Sequence, residues 1–177
     1  MANKQQPKMV KCRYAKCNKL HESQELNKED AVQGGKGSYY HPDCYHMMQT
    51  INKIRDLFCK EINPLMTGQQ IGLLVTTINN LVFGKNIDVD YVFFALQWFI
   101  KNKPGKLQHP FGLHYIIQNK DALNAWNKKK ESEIKAELKQ QLTNQPKESF
   151  TNIFESDFTF VLPEEDGFMS IFKQKEG

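Results

Sequence analysis

Cys12 and Cys17 have four residues between them in KCRYAKC, and His41 and Cys44 have two between them in YYHPDCY, with 23 residues between the pairs. Three thiols and one imidazole in two close pairs form the donor set of a tetrahedral zinc ion, because a short spacing lets one tight turn aim both donors at a single point. Four protein donors fill the coordination sphere, so the one zinc ion they would hold is structural rather than catalytic. Neither an HExxH nor an HxE…CxxC pattern occurs to argue otherwise. His21, four residues after Cys17, is a rival donor that could replace Cys12 or Cys17, and His46 lies two beyond Cys44. The plainer reading makes these cysteines buried thiols. Cys59 falls on the apolar side of a helical stripe and reads as core.

Something must carry the second pair across to the first. Ala31-Val32 and Ser38-Tyr39-Tyr40 flank the turn-rich run Gln33-Gly34-Gly35-Lys36-Gly37, which predicts a short hairpin with His41 at the end of its second strand. Pro42 and Asp43 suit the first turn of a helix, placing Cys44 on that turn. The pattern CxxxxC…YYHxxCY over residues 11–46 resembles a half-LIM or treble-clef-like zinc knuckle. It is also similar to small zinc-finger proteins of phages infecting Gram-positive bacteria, and that resemblance implies an N-terminal finger followed by a helical body. The first pair departs from the commoner two-residue spacing.

The remainder reads as mainly α. Met47, Ile51, Ile54 and Phe58 form a helical stripe within residues 43–62, which Asn63-Pro64 ends. Thr67-Gly-Gln-Gln70 is a capping-box pattern, followed by Ile71, Leu74, Val75, Ile78, Leu81 and Val82 at helical spacing and by Gly84 as a stop. Asp88 opens a further helix with Val89, Val92, Phe93, Leu96, Phe99 and Ile100 on one stripe. Its remaining apolar residues, Phe94, Ala95 and Trp98, predict the most buried element, and the two helices together predict an αα-hairpin. Residues 111–118 suit a short helix or a strand, and a last helix is expected from about 120 to 142. The expected organisation is a zinc-finger module at 1–46, a helical domain at 47–143 and an irregular acidic tail or arm at 144–177.

Charge is unevenly spread. Residues 1–146 hold 21 Lys and Arg against 13 Asp and Glu, whereas residues 147–177 hold 3 against 7. A basic body suits nucleic-acid contact, and ordinary solubility explains the same numbers. Lys101, Lys103 and Lys106 around a Pro-Gly turn, and Lys128, Lys129 and Lys130, are the candidates for phosphate contact; a solvated charge run is the plainer alternative. Base-specific reading by the 88–101 helix is not expected, since that helix has few polar residues to offer a groove.

In the tail, Phe168-Met169-Ser170-Ile171-Phe172 resembles the short peptide by which bacterial replication and repair proteins enter the cleft of the sliding clamp. Met169, Ser170, Ile171 and Phe172 match that motif, and Phe168 stands where it has Gln, so Met169, Ile171 and Phe172 are the candidate partner-binding residues.

No run of about 18 apolar residues would span a membrane, and MANKQQPKMVKC lacks the apolar middle of a signal peptide. The expected place is therefore the cytoplasm of the bacterial host cell, where thiols stay reduced and available to metal. The functional expectation is a phage-type, non-enzymatic accessory protein. It would bind DNA, a host replication or transcription protein, or both, with docking to the sliding clamp through its C-terminal peptide. The alternative is a phage-encoded inhibitor that masks a host or defence complex, for example a CRISPR complex, by protein contact alone. A metal-dependent nuclease would have Asp88, Asp90, Asp121, His109 and His114 to draw on.

Overall fold

A computed structural model describes residues 8–144 of the chain. The acidic tail beyond them, with Met169, Ile171 and Phe172, lies outside the described residues.

Two small hairpins open the fold. β1 (Met9–Lys11) pairs antiparallel with β2 (Glu25–Asn27), setting Val10 opposite the buried Leu26. β3 (Val32–Gln33) pairs antiparallel with β4 (Tyr39–Tyr40), which is the hairpin expected from the Gly-rich run. At its tip Lys36 and Gly37 both take left-handed backbone angles, with φ of 57° and 70°, and glycine adopts these without a Cβ penalty. Gly34 has its own reason: a Cβ there would stand 2.6 Å from the Tyr40 ring. The hairpins are stitched together where Cys12 bridges to Tyr39 and the Arg13 amide donates to the Tyr39 carbonyl at 2.9 Å.

α1 (Pro42–Glu61) starts in the finger and ends in the body, crossing the boundary expected at residues 46/47 without a break. Its buried Ile51, Ile54 and Phe58 repeat at helical spacing and face the main core. α2 (Gly68–Asn79) has the full capping box: the Thr67 hydroxyl accepts from the Gln70 amide, and the Gln70 side chain accepts from the Thr67 amide at 2.9 Å. The helix then widens into a π turn over Asn80–Gly84, which keeps Leu81 and Val82 buried before the chain leaves at Lys85.

α3 (Val89–Asn102) is N-capped by Asp88, whose carboxylate accepts from the Asp90 amide at 2.8 Å. It buries Val89, Tyr91, Val92, Ala95, Leu96 and Phe99, more residues than any other helix, as expected. Its main helical neighbour is α1 rather than α2, so the expected αα-hairpin of consecutive helices is not how the body packs. The π turn and the Lys85–Asp88 link carry α3 across to α1 instead. The ambiguous 111–118 stretch is helical: a 3-10 turn at Pro110–Gly112 runs into α4 (Leu113–Ile116). The buried Tyr91 hydroxyl donates to the Ile117 carbonyl at 2.8 Å and ties α3 to the end of α4. α5 (Lys120–Asn144) starts at Asn119, whose side chain accepts from the Asp121 and Ala122 amides, both at 3.1 Å.

The chain divides into two units, Met1–Ala136 and Glu137–Gly177. Finger, body and the first part of α5 thus belong to one unit. No helix among the described residues is long and apolar enough to cross a membrane.

Candidate metal centre and basic face

Each of the four donors is delivered by a different local device. Cys12 follows β1 directly, and its amide donates to the Gln24 carbonyl at 2.7 Å. Cys17 opens a 3-10 turn at Cys17–Lys19, and its amide donates to the Tyr14 carbonyl at 3.0 Å. That inner loop folds the four intervening residues back, so both thiols of the longer CxxxxC spacing reach one point. His41 follows β4 as the residue before α1, with Pro42 at the first helical position, and Cys44 lies on the first turn.

The donor atoms of Cys12, Cys17, His41 and Cys44 all lie within 4.8 Å of one another. Among the described residues this is the one group of three or more His, Cys, Asp or Glu side chains compact enough for a metal ion. The Cys17 Sγ to His41 Nδ1 distance is 3.4 Å. Tetrahedral zinc with ordinary Zn–S and Zn–N bonds would set that pair about 3.6 Å apart, so the donors fit zinc in both kind and spacing. Cys12, Cys17 and Cys44 are at most 3% exposed, and His41 is half-buried.

The same burial sets the electrostatics. It pushes the Cys17 thiol up, with the neighbouring Cys12 adding to the effect, and it pushes Cys44 up further. For Cys12 burial is also the largest influence, but hydrogen bonds from the Tyr14 and His41 backbone and from the Cys17 and Cys44 side chains outweigh it and hold that thiol below its ordinary value. His41 is held below its ordinary value by burial first and His21 second, so its imidazole is kept neutral, the form that ligates metal. Burial, with the nearby Cys44 charge, pushes Tyr14 up to about 12.

The rival donors have other positions. His21 stacks on the His41 ring, with centroids 4.0 Å apart, and its own Nε2 is buried without a hydrogen-bond partner. His46 is not part of the cluster and pairs with Asp90 on α3 at 2.9 Å. Cys59 is half-buried against the core, its thiol 3.8 Å from the Met66 sulfur.

The acids and histidines available to a nuclease are dispersed. Asp88 caps α3, Asp90 holds His46, and Asp121 lies 3.8 Å from Lys103. His109 stacks on Phe111, and His114 contacts Lys85 at 3.3 Å.

The lysines divide in a way their sequence positions did not indicate. Lys103 Nζ lies 5.6 Å from the centre of the Trp98 ring. Lys129 Nζ lies 5.5 Å from Phe94 and 5.6 Å from Trp126, and Lys130 Nζ lies 4.7 Å from Trp126. Phe94 and Trp126 touch each other at 5.2 Å between centroids. Lys103, Lys129 and Lys130 are therefore brought against aromatic rings along α3 and the start of α5; Lys129 and Lys130 are exposed, as are Lys101, Lys106 and Lys128. The signal was available only in part: Phe94 and Trp98, one turn apart, predict a shared face, but nothing local predicts that Trp126 meets them. No protein-family model matches the chain, and no curated protein or solved structure is significantly similar to it.

Proposed function

We propose that the chain is a non-enzymatic accessory protein of the phage type, acting in the bacterial cytoplasm, in which a zinc-bound finger is scaffold and the helical body holds nucleic acid. A host replication or transcription protein is its partner. The tail peptide with Met169, Ile171 and Phe172 docks to the sliding clamp. The observation that carries the nucleic-acid clause is the convergence of Lys103, Lys129 and Lys130 on one aromatic strip, although Lys103 and Lys129 are 26 positions apart. The scaffold clause is supported by the donor set, since three thiols and an imidazole complete zinc's sphere.

Binding of a labelled DNA oligonucleotide, followed by fluorescence anisotropy across a salt series, tests the reading. Contacts from about three lysines give a logarithmic salt slope of about −2 to −3. Absence of binding at low salt removes the nucleic-acid clause. Capture of purified sliding clamp, with Ile171→Ala and Phe172→Ala as controls, tests the docking clause separately.

A second reading, an inhibitor that masks a host or defence complex by protein contact alone, is favoured by apolar exposure on α5. Leu123 is 43% exposed and Ile134 is 55% exposed, eleven residues apart and so on one side of the helix. DNA binding that is absent at low salt, together with capture of a host protein by the intact chain, supports that reading.

A further inference from the structure

Along the strip just described three rings, Trp98, Phe94 and Trp126, are flanked by Lys103 at one end and by Lys129 and Lys130 at the other. The three rings are half-buried, each rooted against the core and each with part of its surface accessible. Phe94 and Trp98 are four residues apart on α3, about 6 Å along the helix axis. Stacked bases in duplex DNA follow one another at about 3.4 Å and present no free faces, so a duplex could use the lysines but not the rings. An unstacked single strand can use both.

We propose that this strip is a binding site for single-stranded nucleic acid, with unpaired bases stacked on Trp98 and Trp126 and the flanking phosphates held by Lys103 at one end and by Lys129 and Lys130 at the other. The proposal rests on the nucleic-acid reading above and narrows it to one substrate class. In the structure each ammonium lies over a ring face and also has an acid near it. Lys103 is 3.8 Å from Asp121, and Glu133 is 3.6 Å from Lys129 and 3.3 Å from Lys130. These are exposed pairs on flexible stems, and such pairs are held weakly. A strand exchanges both contacts together: the base takes the ring face, and the phosphate takes the ammonium. Stacking tolerates any base, because each has a π-face, so the site would select for single-strandedness rather than for sequence.

The test uses the full-length, zinc-loaded protein and four probes of equal length: a dT 20-mer, a U 20-mer, an abasic deoxyribose-phosphate strand and a 20-base-pair duplex. Affinity is read by anisotropy and ring contact by tryptophan fluorescence. The expected result is quenching by the dT and U strands, with both binding at least about tenfold more tightly than the duplex and the abasic strand. Trp126→Ala should lose about tenfold for the dT strand. Lys130→Gln, at an exposed position that leaves the core intact, should lower the salt slope by about one without abolishing quenching.

If the duplex and the abasic strand bind as tightly as dT, without quenching, the stacking site is overturned and the general nucleic-acid reading survives. If no probe binds at low salt, both are overturned.

Discussion

The imidazole of His21 lies flat against that of His41, with ring centroids 4.0 Å apart and planes inclined by 19°. His41 Nδ1 meanwhile points at Cys17 Sγ from 3.4 Å. His21, which the sequence set as a rival to Cys12 or Cys17, thus packs against the ring of His41 while His41 brings its nitrogen into the donor cluster. His21→Ala should retain one zinc per chain but weaken it by about ten- to hundredfold, the usual effect of removing a group that orients a ligand. His41→Ala should lose the metal under the same chelator challenge. Metal content by mass spectrometry and competition with a chromogenic chelator make the comparison. Zinc retained by His41→Ala and lost by His21→Ala would reverse the assignment.

Cys44 is fully buried on the first turn of α1, the same helix that carries Ile54 and Phe58 into the main core. Finger and body share that helix but have separate apolar clusters. Cys44→Ala, or removal of metal by a chelator, should therefore unfold the finger and fray the start of α1 while leaving the body folded. Amide exchange should lose its protection over residues 9–44 and keep it in α2 and α3. Global loss of protection on chelation would show that the body depends on the finger for its own folding.

The four donors were legible because metal chemistry constrains residue type and spacing together, and the caps at Thr67 and Asp88 were legible because each is satisfied within a few residues. β1 and β2 were not. Each is three residues long with one inward side chain, Val10 or Leu26, which is too short for an alternation to register. The π turn was hidden for a related reason: Leu81 and Val82 continue the stripe of α2, and that pattern does not distinguish a wider turn from a regular one. The joining of Lys103 with Lys129 was out of reach altogether, since it depends on where Trp126 of α5 meets Phe94 of α3. The pairing of α3 with α1 is likewise a matter of tertiary packing.

Loading the centre should release protons and weaken in acid. Burial holds the Cys17 and Cys44 thiols above their ordinary value of 9.0, so near neutral pH both must give up a proton to the solvent as zinc binds. His41 has the opposite bias, held below its ordinary value of 6.5 by burial. A neutral imidazole is thus retained in the fold to lower pH than in the unfolded chain. The unfolded chain then binds more protons as pH falls below 6.5, so protonation of His41 increasingly opposes folding of the finger across that range, down to the folded value. Zinc affinity measured by chelator competition at pH 6, 7 and 8 should rise by about two powers of ten or more per pH unit. An affinity that is flat with pH would exclude thiol deprotonation as part of binding.

The hydroxyl of Tyr91 on α3 reaches the Ile117 carbonyl at the end of α4 at 2.8 Å inside the core. Tyr91 is 7% exposed and Ile117 is also 7% exposed, so water has little access to either group once the bond is lost. Tyr91→Phe keeps the ring and its contact with Trp126 at 5.8 Å but leaves that carbonyl without its donor. The expected cost is about 1–3 kcal/mol, the range for an orphaned buried acceptor, and it should appear as a lower urea midpoint with the slope unchanged. Zinc content should not change, because Tyr91 lies outside the finger cluster. A stability equal to that of the parent would mean that the Ile117 carbonyl finds another donor and that the hydroxyl is not what holds α4 to α3.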